Sequence, residues 1–201
     1  MLRIAVLVSG GGTNLQALLD AEKNGDLRSG RITRVVSSKE EAYALQRAQS
    51  AGVKTAVLVK RRGESSPEYG QRLISLLRSS GIDLIVLAGF LLILDACVIR
   101  AYEDRILNVH PSLIPAFCGK GLYGLKVHAA ALERGVKVTG ATVHLVNEIP
   151  DGGRILAQKA VEVLETDTPE TLQKRVMEQA EWILLPGETE KWACKLTLEA
   201  M

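Results

Sequence analysis

A chain of 201 residues, 47% of them apolar, can bury one substantial core, and a single folding unit over residues 1–201 is expected. Its formal net charge of +2, with Lys and Arg scattered along the chain, argues against a nucleic-acid-binding surface, and no apolar run reaches the length of a membrane span. Cys97, Cys118 and Cys194 are odd in number, far apart and without a CxxC pair, which excludes a disulfide framework and a thiolate zinc site; with no small-residue cleavage site near the start, a reducing cytoplasm is expected.

Short runs rich in Val and Ile alternate with stretches of helical period, the pattern of a Rossmann-like α/β fold: a mainly parallel twisted sheet flanked by helices. Strands are predicted at 3–9, 32–37, 55–59, 83–89 and 105–110, and helices near 14–23, 40–51, 68–80 and 94–102. Beyond residue 125 the pattern changes. A helix at 126–134 precedes two extended runs, 138–146 and 154–163, joined by NEIPDGG, so antiparallel strands are expected in the C-terminal half. Asp167, Thr168 and Pro169 predict the start of a helix running to about Leu185, broken by Pro186 and Gly187. The remainder, GETEKWACKLTLEAM, reads as a helix or an extended segment on the edge of the sheet.

The stretch VLVSGGGTNLQALL places a flexible loop, Ser9 to Thr13, between a buried strand and a helix. Backbone amides, the helix N-terminus and the hydroxyls of Ser9 and Thr13 favour an anion, usually a phosphate; the plainer reading is a tight turn. Gly10-x-Gly12-x-x-Leu15 lacks the third glycine of a dinucleotide fingerprint, and Ser37 and Ser38 stand where an acid would hold a ribose. No lysine follows in P-loop register, so a mononucleotide or sugar phosphate fits better.

In RILNVHPSLIP, Asn108 and His110 are two apart on a strand and project together from its carboxyl end, where open α/β sheets hold ligands. An amide can donate to an oxygen gaining negative charge, and an imidazole can do the same or move a proton, a pairing suited to acyl chemistry. Ser112 and Cys118 have neither a nucleophile elbow nor an evident base, so direct transfer to an amine competes well with an acyl-enzyme. Asp151, in the irregular NEIPDGG loop, can turn back to orient His110. Each has a plainer reading: Asn108 as a strand-end cap, His110 as a satisfied buried imidazole, Asp151 as a turn former. His128 reads as structural or solvent-facing, and His144 as either a pocket or a core histidine. No histidine pair has metal-ligand spacing with a carboxylate, so no metal is expected.

SGGGTNLQALL, LAGF at 87–90, ILNVHPSLIPAF at 106–117 and GVKVTGATVHLVNEIPDGGRILAQKAV at 135–161 together resemble the phosphoribosylglycinamide formyltransferase family, folate-dependent enzymes of purine biosynthesis, over nearly the whole chain. The resemblance implies formyl transfer from 10-formyltetrahydrofolate to the amine of glycinamide ribonucleotide. It implies that Asn108 and His110 stabilise a tetrahedral oxyanion while Asp151 holds the histidine and helps relay the amine proton. Gly11, Gly12, Thr13 and Asn14 match the loop for the ribonucleotide phosphate, and Glu181, with Glu178 as competitor, matches the acid contacting the ribose. The folate is implied to lie against Leu87, Phe90, Leu91, Leu94 and the backbone from Val143 to Asp151. Residues 1–100 are then mainly the phosphate-binding half, and residues 101–201 mainly the catalytic and folate half. A homo-oligomer is compatible with the pattern, and neither nucleic acid nor membrane is an expected partner.

This sequence departs from the family pattern at three places. Leu92 stands where many members carry an arginine for the folate's glutamate tail, and Lys120 or Lys126 in the unusual loop CGKGLYGLKVH is a substitute source of charge. Pro150 precedes Asp151 where an apolar residue is usual, and Asn147 replaces a threonine or aspartate. Related formyl-transfer cores occur in methionyl-tRNA formyltransferase and formyltetrahydrofolate deformylase, each usually with an added domain for which 201 residues leave no room. A non-catalytic binder of a phosphorylated metabolite is the alternative from another class, and the joint presence of Asn108, His110 and Asp151 counts against it.

Overall fold

In the computed structural model, which describes residues 1–199, seven strands form one sheet in the order β3-β2-β1-β4-β5-β6-β7. The strands are β1 (Leu2–Val8), β2 (Gly30–Ser37), β3 (Lys54–Val57), β4 (Leu84–Leu87), β5 (Ile106–His110), β6 (Val138–Leu145) and β7 (Ile155–Glu162). β1 to β5 are mutually parallel, whereas β6 runs antiparallel to both β5 and β7, as the pattern beyond residue 125 predicts. Strand β1 shows why its run is apolar without alternation. Ile4, Val6 and Val8 enter one core and Ala5 and Leu7 the other, so helices must cover both faces.

The connecting helices are α1 (Thr13–Asn24), α2 (Tyr43–Ser50), α3 (Ser66–Ser79), α4 (Ala96–Ala101), α5 (Leu125–Arg134) and α6 (Pro169–Val176). Helix α3 begins with a capping box between Ser65 and Glu68, with a proline in its first turn, and α4 is capped by the Asp95 carboxylate accepting from the Cys97 N–H. Thr168 caps α6 directly before Pro169, as the sequence signal indicates.

The C-terminal reading needs correction. Pro186 and Gly187 do not end the helix: after α6 the chain makes a π-helical turn, Met177–Glu181, and continues as α7 (Trp182–Glu199) with Pro186 inside it. A helical proline presses on the carbonyl four residues earlier, here that of Trp182, the residue at which the wider turn ends. Helix α7 lies on α1 and reaches β2, β5, β6 and β7, so it crosses a face of the sheet and does not line its edge. Trp192, Ala193 and Leu196 join the core containing Ile4 and Val6. Ala200 and Met201, the end of the segment read as helix or edge strand, lie outside the described residues.

Candidate active site

Strand β1 lies between β2 and β4, so the chain leaves the carboxyl ends of β1 and β4 in opposite directions and opens a crevice there. The glycine loop follows β1, and residues 88–95 follow β4. Ser9 ties the two together: its hydroxyl accepts from the Leu91 N–H at 2.9 Å and contacts the Ser38 hydroxyl at 2.6 Å. Ser9 is buried in this junction, which removes it from the anion ligands expected of the loop.

A cavity of about 330 Å³ opens beside the ends of β4, β5 and β6, walled by the loops at 88–95, 111–124 and 146–151. Asn108 and His110 both line it, as the two-residue strand period requires. His144, directly opposite Asn108 in the antiparallel register, completes the pair: Asn108 Nδ2 lies 3.0 Å from His144 Nε2. The other ring nitrogen, His144 Nδ1, is 2.8 Å from the Leu145 carbonyl oxygen. A carbonyl can only accept, so Nδ1 carries the proton, Nε2 accepts from Asn108, and the second amide hydrogen of Asn108 remains available to a ligand oxygen.

His110 is held in the same way from the other side. Its Nε2–H donates to the Phe117 carbonyl at 2.9 Å, which leaves Nδ1 facing Asp151 Oδ2 at 3.6 Å. Asp151 reaches this position because its loop closes on itself. Asn147 Nδ2 donates to the Gly152 carbonyl at 3.2 Å and Asn147 Oδ1 accepts from the Ile149 N–H at 3.0 Å, so the departure noted at Asn147 acts as the loop's clasp. A Cβ at Gly153 would collide with the Leu145 carbonyl oxygen, and Asp151 itself takes a φ of 55°.

The Asp151 carboxylate sits between two imidazoles, with Oδ1 3.7 Å from His144 Nε2 and Oδ2 also accepting from the Gly119 N–H at 2.9 Å. Burial acts to raise its pKa, but its polar neighbours, the donating Gly119 N–H among them, outweigh burial and keep the carboxyl below its usual range. Burial pushes His110 below the ordinary imidazole value, with the Phe117 carbonyl and Asp151 pulling upward and His144 adding to the fall. At neutral pH the site therefore presents an ionised Asp151 beside a neutral His110 whose open nitrogen can take a proton.

Of the other positions singled out in the sequence, Leu87, Phe90, Leu91 and Leu94 line this cavity. Val143 does not: its side chain is buried in the core on the sheet face that carries α1. His128 is fully buried, which corrects the solvent-facing alternative, and among the described residues neither of its ring nitrogens has a hydrogen-bond partner. The i,i+2 pattern of β6 is compatible with His144 on the cavity side, where it lies, but no local signal in the sequence announces the Gly119 amide.

At the glycine loop, Gly12 takes a φ of 74° and caps α1 without any side-chain acceptor, so the first-turn amides are free to meet an anion. A Cβ at Gly12 would lie 2.6 Å from that of Ala44. Asn14 Nδ2 donates to Glu181 Oε2 at 2.6 Å, bringing the π turn against this loop. Glu181 is buried, and burial pushes its carboxyl up to about 7 against the lowering effect of the Asn14 amide. Glu178 is instead exposed and pairs with Lys174 at 3.9 Å, which separates the two glutamates. Asn14 Oδ1 is buried without a partner among the described residues.

A family model described as formyl transferase matches residues 2–186, nearly the whole sheet and both parts of the site. The chain belongs to the formyl transferase family. Similar formyl transferases include a phosphoribosylglycinamide formyltransferase of Haemophilus influenzae, 40% identical over 89% of this chain and 82% of the relative. A chloroplastic phosphoribosylglycinamide formyltransferase of Arabidopsis thaliana is 43% identical over 88% of this chain, which spans 61% of that relative's length. The crystal structure of glycinamide ribonucleotide transformylase 1 from Symbiobacterium toebii superposes with a TM-score of 0.91 at 40% identity, covering 97% of this chain and 89% of that one. The resemblance carried by the sequence motifs and the expected fold class are both borne out.

In this family member Leu92 lines the cavity as an apolar wall, and Pro150 lines it beside Asp151 without displacing the carboxylate from the two histidines. Among the described residues no group of three or more His, Cys, Asp and Glu side chains is arranged to hold a metal ion, and no helix is long and apolar enough to cross a membrane.

Proposed function

We propose that the protein transfers a formyl group from 10-formyltetrahydrofolate to the amine of glycinamide ribonucleotide, in de novo purine biosynthesis, without a covalent enzyme intermediate. The observation that carries this reading is the convergence of Asn108, His110, His144 and Asp151 on one cavity beside the glycine loop, in a chain of the formyl transferase family. The amino-terminal half supplies the cradle for the ribonucleotide phosphate at Gly11, Gly12, Thr13 and Asn14, with Glu181 toward the ribose. The carboxy-terminal half supplies the catalytic groups, and the folate occupies the cavity lined by Leu87, Phe90, Leu91 and Leu94.

The neutral amine attacks the formyl carbon, and the carbonyl electron pair moves onto oxygen. The free amide hydrogen of Asn108 meets that oxyanion, held in place because His144 Nε2 accepts the other hydrogen. The new C–N bond makes the nitrogen cationic, and its proton passes to Nδ1 of His110, where ionised Asp151 stabilises the resulting imidazolium. When the tetrahedral adduct collapses, the bond to the folate nitrogen breaks and that nitrogen takes the proton, leaving tetrahydrofolate and the formylated ribonucleotide. Positioning of both substrates in one crevice supplies the remainder of the rate.

Supplying both substrates to the purified protein tests the reading directly. Tetrahydrofolate formation that requires the ribonucleotide supports it. Release of tetrahydrofolate with water alone as acceptor would indicate a deformylase, and no product with either acceptor would leave a metabolite binder.

A further inference from the structure

The antiparallel register sets three polar side chains in one row across β5, β6 and β7. Thr142 lies opposite His110 on one side and opposite Gln158, on the edge strand, on the other, so the three share a face. His110 lines the cavity, whereas Thr142 and Gln158 do not. Thr142 is fully buried and its hydroxyl is saturated: it donates to the Ser112 carbonyl at 2.6 Å and accepts from the Ile114 N–H at 3.1 Å and from Gln158 Nε2 at 3.0 Å. The other amide hydrogen of Gln158 goes to the Ile114 carbonyl at 2.9 Å. Two side chains outside the cavity thus pin the loop that leaves β5, at Ser112 and at Ile114.

The far end of that loop fixes the proton of the histidine. Ser112 Oγ donates to the Ala116 carbonyl at 2.5 Å, and the next carbonyl, that of Phe117, accepts from His110 Nε2 at 2.9 Å. Phe117 holds a φ of 51°, a left-handed conformation that a bulky residue keeps only under restraint from its surroundings. A competitor for the same proton stands on the other side of the ring. The Asp151 carboxylate is 3.6 Å from Nδ1, and an ionised oxygen is a stronger acceptor than a neutral carbonyl. If the loop loosens, the proton moves to Nδ1, and the nitrogen that must take the amine proton is then occupied.

We propose that Gln158 is a positioning residue for formyl transfer: acting through Thr142 and the loop at 111–117, it keeps the proton of His110 on Nε2 and leaves Nδ1 open. The inference rests on the transfer reading, because only there does His110 serve as the base. Nitrogen NMR of the neutral imidazoles, with steady-state kinetics for both substrates, tests it on the unsubstituted protein and on Gln158→Leu, which removes both donors from an exposed position. His110 is expected to pass from a ring protonated on Nε2 to a mixture of tautomers, and kcat to fall about three- to tenfold with each KM within about twofold. Thr142→Val, which removes the same junction from the buried side, should act in the same direction. His144, whose proton is committed to the Leu145 carbonyl, is the internal reference and should be unchanged in both variants. A His110 ring that stays protonated on Nε2, a loss confined to KM, or equal disturbance of His110 and His144 would overturn the assignment. Absence of transfer in the unsubstituted protein would instead overturn the transfer reading, and with it the role in catalysis, whatever the tautomers show.

Discussion

The Asn14 amide and the Glu181 carboxyl, 167 positions apart in the chain, meet at 2.6 Å beneath the glycine loop. This contact joins the first helix to the π turn and buries an acid that would otherwise be solvated. Because the folded pKa is raised to about 7 from 4.5, the folded state binds more protons than the unfolded state between those values. The contribution of Glu181 to stability should therefore fall as pH rises from about 4.5 to 7 and level off above. Glu181→Gln removes this loss: the variant should match the parent near pH 4.5 and exceed it by roughly 1–3 kcal/mol at pH 8 in denaturant titrations. Its affinity for the ribonucleotide should fall. A stability difference between parent and Glu181→Gln that does not change with pH across this range would refute the buried-acid account.

Asp151→Asn keeps the shape of the loop and removes the charge facing His110. Turnover is expected to fall by about 10²- to 10⁴-fold with the fold intact, as for loss of a proton-transfer partner. The His110 ring should also titrate lower than in the parent, because the only nearby charge raising its pKa has gone. With three histidines in the chain, proton NMR of the imidazoles resolves this directly. An unchanged His110 titration would separate Asp151 from it.

Asn108 and His144 act as a unit, so their variants should differ in kind. Asn108→Ala deletes the oxyanion donor and should lower kcat by about 10²- to 10³-fold. His144→Phe leaves Asn108 present but frees its amide to rotate, and a loss nearer to tenfold in kcat, with little change in either KM, is expected. Steady-state kinetics on both variants checks the ordering, and equal losses would mean that His144 itself meets the substrate.

His128 carries the opposite pH signature to Glu181. Burial drives its pKa down to about 4, with His110 adding a smaller push, so between about 4 and 6.5 the unfolded state binds the extra proton. Its contribution weakens the fold as pH falls through that window and vanishes above it. His128→Leu should be near neutral at pH 8 and stabilising by roughly 1–3 kcal/mol at pH 4, since neither ring nitrogen has a partner to lose. Thermal unfolding at the two pH values distinguishes this from a simple cavity effect, which would be independent of pH.

Much of this architecture is written locally. The apolar runs placed every strand to within a few residues, and the two-residue strand period put Asn108 and His110 on one cavity because alternate side chains share a face. The arrival of Asp151 depends on contacts with no local signature: the clasp made by Asn147, the close approach of Gly153 to Leu145, and an amide in a loop 32 residues earlier in the chain. The continuation of α7 past Pro186 failed as a local rule for a related reason. Proline and glycine side by side disfavour a helix, yet the wider turn upstream and the burial of Trp192, Ala193 and Leu196 override them. His128 illustrates the limit from the other direction, since a polar residue on a short helix gives no sign of being sealed.

Helix α7 also carries the fold beyond the residues that the family model matches. The family match stops at Pro186, but the indole of Trp192 donates to the Asp104 carbonyl at 2.8 Å, its ring lies 5.1 Å from the Arg154 guanidinium, and Ala193 packs near Gly30. A chain cut after Pro186 would take Trp192, Ala193 and Leu196 out of the core that holds Ile4 and Val6. The stretch that announces the family is therefore shorter than the stretch that packs the core.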